Sequence, residues 1–250
     1  MPVEYDRRGP VAVVTVDRPD RRNAIDHATA DALGNAWARF DEDDDALVGV
    51  LTGSAGTFSA GADLEAMDLE DTPEGWLGFT RTRVSKPTIA AVEGHCVAGG
   101  LEMALWCDLR IAGESATFGC FERRFGVPLV DGGTQRLPHV VGLGRALDLI
   151  LTGRALDAET ATEWGLVNRL ADDGAVLERA VELAEVVAGF PQETVRTDRE
   201  AVYDGLGATL EQGLAIEGWH GTRAMDTAVE GADRFASGEG RGGEGIPDEE

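Results

Sequence analysis

The chain has 250 residues, of which 43% are hydrophobic, enough to bury one substantial core, and nothing in it reads as a linker between two large halves. Its 22 basic and 46 acidic residues give a formal net charge of −24, a field that repels nucleic acid and anionic membrane alike. No run approaches the roughly 18 consecutive apolar residues that span a bilayer, and the start, MPVEYDRRGP, lacks an apolar signal core, so a cytoplasmic protein is expected.

In chain order, the β-branched segment VAVVTVD (residues 11–17) predicts a buried strand that ends in a turn at Arg18-Pro19. From Asp26 onward, Ala30, Leu33, Trp37 and Phe40 recur at helical spacing, and the acidic run DEDDD closes that helix. LVGVLTG (47–53) predicts a core strand running into a glycine turn. Residues 65–84 have weak periodicity and contain Pro73 and Gly75, which predicts a mobile stretch with at most a short helix. PTIAAVEG (87–94) returns to strand character, and AGGLEMALWC (98–107) sets two glycines before a helix-favouring apolar run; DLRIAG and TFG then read as short strands. Beyond residue 142 the pattern is helical, with ALDLILTG, AETATEWG and VLERAVELAEVVAG each stopping at a glycine. Two or three further helices are predicted over 192–236, and the glycine- and glutamate-rich stretch 237–250 is expected to be disordered. Repeated strand, turn and helix units make the expected class α/β.

Three places carry possible chemistry. In FSAGADL (58–64) the small residues and Gly61 allow close approach to backbone N–H groups, although a packed turn needs the same residues. In AGGLE (98–102) a glycine pair opens a helix, so unpaired N–H groups and the positive dipole end can face an anion; Glu102 falls in the first turn, where a plain dipole partner is the ordinary reading. In FGCFERRFGVPLVDGGTQRLP (118–138) Glu122 stands beside Arg123 and Arg124, which by itself suggests a solvated salt bridge, and Asp131 reads as the N-cap of a helix beginning near Gly133. Cys96, Cys107 and Cys120 are an odd number without CxxC spacing and the histidines are scattered, so neither a disulfide framework nor a metal site is expected. Cys107, inside MALWC, reads as a buried thiol, and His95 reads as a core or surface residue before a pocket one.

The order FSAGADL, KPTIAAVEG, AGGLEMALWCDLRIA, FG…E…GGTQRLP, ALDLILTGR, AxxWGLVNRL resembles the enoyl-CoA hydratase/isomerase (crotonase) family, closely over about residues 10–170 and loosely beyond. The resemblance implies a spiral of repeated ββα units over 1–190 and a helical trimerisation region over 191–236, assembled as a trimer or a dimer of trimers. It implies an oxyanion hole from the N–H groups of Ala62 and Gly99, and a water held between Glu102 and Glu122. Glu102 would help activate that water and Glu122 would deliver a proton. It further implies coenzyme A contacts from Arg21, Arg22, Ala60, Asp63 and Leu64, with the acyl-CoA thioester as substrate and no separate cofactor or metal. Retention of both carboxylates selects hydration of a 2-enoyl-CoA. The competing readings are an isomerase working through Glu122 alone and a catalytically silent acyl-CoA-binding protein. Glu102, at a helix N-terminus, is expected to favour its ionised form, whereas burial is expected to raise the pKa of Glu122.

The sequence departs from the common pattern where Glu65 follows GADL in place of a frequent lysine, and where CFERRFG replaces a proline followed by an aliphatic stretch. Lysine occurs once, at Lys86. An acidic, arginine-dominated surface of this kind resembles proteins of extreme halophiles, where concentrated salt screens self-repulsion.

Overall fold

The computed structural model describes residues 1–238. β1 (Val3–Arg8) turns back into β2 (Val11–Val16), and the chain crosses through α1 (His27–Glu42) to β3 (Val48–Gly53). An irregular stretch leads to β4 (Thr88–Val92), β5 (His95–Val97) and α2 (Gly99–Trp106), followed by β6 (Leu109–Gly113) and β7 (Thr117–Gly119). A 3-10 turn over Phe121–Phe125 precedes α3 (Gly133–Val141) and α4 (Leu143–Thr152); then come β8 (Leu156–Asp157), α5 (Ala158–Glu163), β9 (Arg169–Ala171) and α6 (Val176–Ala188). The last described elements are α7 (Gln192–Gly205), α8 (Leu210–Arg223) and α9 (Met225–Ser237). The stretch 237–250 expected to be disordered lies outside the described residues apart from Ser237 and Gly238.

The main sheet has the order β1-β2-β3-β4-β6-β9, parallel throughout except for β1, which pairs antiparallel at the edge. Alternate residues of each strand serve two cores. Val11, Val13, Val48, Val50, Ile89 and Ile111 pack with α6 on one side; Ala12, Val14, Leu51, Ala90 and Val92 pack on the other with α1 and the smaller sheet. Burial on both faces is why these strands read as continuous apolar runs without alternation. β1 had no such signal. Its sequence VEYDRR is largely charged, and within it only Val3 is fully buried.

α1 begins where the spacing places it, with the Asp26 carboxylate accepting from Thr29 N at 2.9 Å as an N-cap. Its C-terminus is closed by Lys86, whose ammonium is buried and donates to the carbonyls of Phe40 (2.8 Å) and Asp43 (2.7 Å). Residues 65–84 contain no helix, as the weak periodicity suggested, yet they are fastened rather than loose. Leu77, Phe79 and Thr80 are buried, the Phe79 ring lies 4.8 Å from Trp106, and Trp106 Nε1 donates to Thr82 O at 2.7 Å. Aromatic packing thus replaces secondary structure as the organising force here.

The smaller sheet, β5-β7-β8, positions the site. β5 and β7 run parallel with Val97 opposite Gly119, so the residues that follow each, Gly99 and Glu122, leave the sheet at the same end. A bridge between Ser59 and Cys96 brings the loop 58–62 to the other side of β5, through Ser59 N to His95 O (2.9 Å) and Val97 N to Ser59 O (3.1 Å).

Candidate active site

The backbone cradle forms where this loop meets the start of α2. Gly61 has φ +88, and a Cβ there would lie 2.6 Å from Gly99 N; a Cβ on Gly99 would lie 3.5 Å from Ala62 N. At Gly61 only glycine permits so close an approach, and it brings the backbone nitrogens of Ala62 and Gly99 near one another. Gly99 N, in the first turn of α2, has no intrahelical acceptor. Ala98, the residue before it, holds φ 53 and ψ −128, a positive φ that costs a non-glycine residue of order 1–3 kcal/mol. Ser59 Oγ steadies the loop, donating to Asn23 O at 2.7 Å and accepting from Gly61 N at 3.1 Å.

Glu102 sits one turn into α2 but does not serve its own helix. Its Oε1 accepts from Asp131 N (2.9 Å) and Gly133 N (2.8 Å), so it caps the N-terminus of α3. The carboxyl is only 3% exposed, and burial raises its pKa to about 7 against the usual 4.5, assisted by the charge of Asp131 and partly opposed by the N–H of Gly133. The expectation that helix position would favour ionisation is therefore corrected: desolvation outweighs the dipole. Asp131 does not cap α3 either. Its Oδ1 accepts from Leu77 N (3.2 Å) and Thr80 Oγ1 (2.5 Å), and the N-cap position of α3 is Gly132. Glu102 thus takes the helix end expected of Asp131, and Asp131 serves the 77–80 turn instead.

Glu122 is buried, and neither carboxyl oxygen has a hydrogen-bond partner among the described residues. The arginines beside it point elsewhere: Arg123 Nε donates to Ile150 O at 3.1 Å, while Arg124 donates to Gly153 O and lies over the Phe121 ring. The ordinary salt-bridge reading fails because the 3-10 turn directs adjacent side chains to different sides. Desolvation raises the Glu122 pKa, as burial was expected to do. A buried carboxyl with both oxygens unmatched is costly in a folded core, which makes Glu122 a candidate for chemistry.

One cavity of about 80 Å³ collects these groups: Ala60, Ala62, Leu64, Gly99, Glu102 and Glu122 all line it. Asp131, Trp76, Leu77, Phe121 and Phe125 line it as well, none of which the sequence motifs singled out for the site. Three expected coenzyme A contacts do not. Asp63 is buried, pairs with Arg18 at 3.0 Å and accepts from Glu65 N and Ala66 N, so its carboxylate holds a turn. Arg21 pairs with Glu65 outside the cavity, and Arg22 is an exposed residue with φ 52. His95 is exposed, and all three cysteines are buried free thiols.

Two adjacent backbone donors facing two buried carboxyl groups are the equipment of an enzyme that stabilises an oxyanion and moves protons. A sequence model of the family described as enoyl-CoA hydratase/isomerase matches residues 6–238, and the chain belongs to that family. It is 40% identical over 220 residues to the "probable enoyl-CoA hydratase" of Rhizobium meliloti, covering 85% of each chain. It is 35% identical over 224 residues to the short-chain-enoyl-CoA hydratase of Clostridium acetobutylicum, covering 86% of each. Among solved structures, the enoyl-CoA hydratase of Mycobacterium tuberculosis H37Rv superposes with a TM-score of 0.90 at 35% identity, over 94% of this chain and 96% of that one. The expected crotonase-like α/β fold with a helical C-terminal region is thereby established.

Proposed function

We propose that the protein hydrates 2-enoyl-CoA thioesters. The observation that carries this reading is the placement of Glu102 and Glu122 in one cavity with the Ala62 and Gly99 donors. Attack by water at the β-carbon puts negative charge on the thioester oxygen, and two preorganised N–H groups stabilise that enolate, each worth roughly 10² to 10³ in rate. Glu102, with Oε1 fixed by two N–H groups, presents its other oxygen to the water. A pKa of about 7 lets it take the water's proton as the hydroxyl bonds to the β-carbon. Glu122, whose pKa burial also raises, supplies the proton to the α-carbon.

In this reading coenzyme A enters as part of the substrate, with no separate cofactor. Its phosphates would be met by Arg21, released from Glu65, and by Arg22. The acidic surface opposes that anion, which supports a protein adapted to concentrated salt in a cytoplasm of that kind. Residues 191–236 would form the trimerisation region: Leu210, Leu214, Trp219, Met225 and Val229 leave a large apolar surface uncovered on α8 and α9. No helix among the described residues is long and apolar enough to cross a membrane.

The test is turnover of crotonyl-CoA in high salt, followed by loss of the conjugated thioester absorbance. The capping role of Glu102 Oε1 favours one rival, in which Glu102 is structural and Glu122 alone shuttles a proton as an isomerase. Conjugation of a 3-enoyl-CoA with crotonyl-CoA left untouched would establish that rival and overturn hydration.

A further inference from the structure

Asp131 touches both halves of the site at once. Its backbone N–H donates to Glu102 Oε1 at 2.9 Å, its carbonyl accepts from Arg136 Nη1 at 2.9 Å, and its Oδ1 accepts from Leu77 N and Thr80 Oγ1. The contact is tight: a Cβ on Gly75 would lie 2.5 Å from Asp131 Oδ1. Arginines reinforce the same seam, Arg81 donating twice to Val130 O (3.1 and 2.9 Å) and Arg136 Nη2 donating to Thr80 O at 2.6 Å. Trp76 and Leu77, held by this seam, line the cavity, and a Cβ on Gly99 would lie 3.1 Å from Leu77 Cδ1. The wall thus rests directly on the oxyanion glycine.

We propose that Asp131 is a positioning residue: its backbone aims the Glu102 carboxyl while its side chain latches the Trp76–Leu77 wall over Gly99, locking acid–base group and thioester cradle in one register. The assignment rests on the hydratase reading for its kinetic consequence, though the latch itself does not need it. The charged and titratable groups around Glu102 are Glu122, Asp131, Cys120 and Arg136; those around Asp131 are Glu102, Arg81 and Arg136. Asp131 is among the groups that hold the Glu102 proton in place. Geometry and charge therefore separate under substitution.

Asp131→Asn keeps an oxygen for Leu77 and Thr80 but removes the charge, whereas Asp131→Ala removes the latch, and Thr80→Val removes half of it. With crotonyl-CoA, Asp131→Ala should lower kcat by roughly 10- to 100-fold through misplacement. Asp131→Asn should restore most of that loss and shift the acid limb of the kcat/KM profile to lower pH. Carbon-13 NMR of the Glu102 carboxyl should show the same downward movement in Asp131→Asn. Amide exchange at Leu77 should quicken in Asp131→Ala and, less so, in Thr80→Val. Equal losses in the Asn and Ala variants with an unmoved Glu102 titration would reduce Asp131 to a structural residue and overturn the proposal. If the unsubstituted protein fails to hydrate crotonyl-CoA, the hydratase reading falls, and the NMR and exchange results decide the latch alone. An unmoved titration together with unchanged exchange would then refute it.

Discussion

Substituting Glu102 by glutamine should separate what this carboxyl costs the fold from what it gives the reaction. Glutamine keeps an oxygen to accept from Asp131 N and Gly133 N, so the cap on α3 survives. The folded pKa of about 7 lies above the ordinary 4.5, so the native state binds this proton more tightly than the unfolded chain does. Stability from that protonation is complete below pH 4.5 and is lost as pH rises through about 7. The interval between the two values corresponds to about 3 kcal/mol at full ionisation. Glu102→Gln, which has no proton to lose, should match the wild type near pH 4 and exceed it by up to about 3 kcal/mol at pH 8.5. Urea unfolding at the two pH values, at fixed salt and protomer concentration, measures the difference. Turnover should fall by roughly 10² to 10⁴ in the same variant, a stability gain bought with activity. If the difference between the two proteins were the same at both pH values, burial would not be governing the Glu102 proton.

Glu122→Gln should also lower turnover by roughly 10² to 10⁴ while leaving Arg123 and Arg124 on their carbonyls; unchanged kcat would remove Glu122 from the reaction. Gly61→Ala forces a side chain into φ +88 and to 2.6 Å from Gly99 N. It should destabilise by roughly 1–3 kcal/mol and, by spreading the cradle, cost about 10² or more in kcat. Lys86→Ala removes the charged donor from Phe40 O and Asp43 O at the end of α1, each of which keeps one backbone N–H, from Asp43 and Ala46, and should lower stability by about 1.5–3 kcal/mol per lost charge-assisted bond, read from urea midpoints.

The sequence announces features that repeat along the chain and hides those that arise from contact between distant segments. β2, β3 and β4 were readable because burial on both faces makes their apolar runs continuous, and α1 because its buried positions keep helical spacing. β1 was unreadable because an edge strand needs few apolar residues. The donors at Ala62 and Gly99 carried a local sign, their glycines, but their adjacency depends on the pairing of Ser59 with Cys96, which no local pattern encodes. Glu102 and Asp131 misled for one reason: each carboxylate was matched to its nearest helix end along the chain, whereas the fold supplies partners from α3 and the 77–80 turn. The motif containing Glu122 was visible, but the emptiness around its oxygens follows from where the 3-10 turn sends two arginines.

Lys86 has one more consequence. It is the single side-chain amine in the sequence, and it is 2% exposed, with its nitrogen engaged by two carbonyls. Acyl thioesters transfer their acyl groups to accessible neutral amines, whereas guanidinium groups, whose pKa lies far above neutrality, stay protonated and unreactive. A protein whose single lysine is buried can therefore sit among activated acyl groups without acylation of a side-chain amine. Amine-directed labels and cross-linkers should likewise find no side-chain target while the fold is intact, and acquire one when α1 frays.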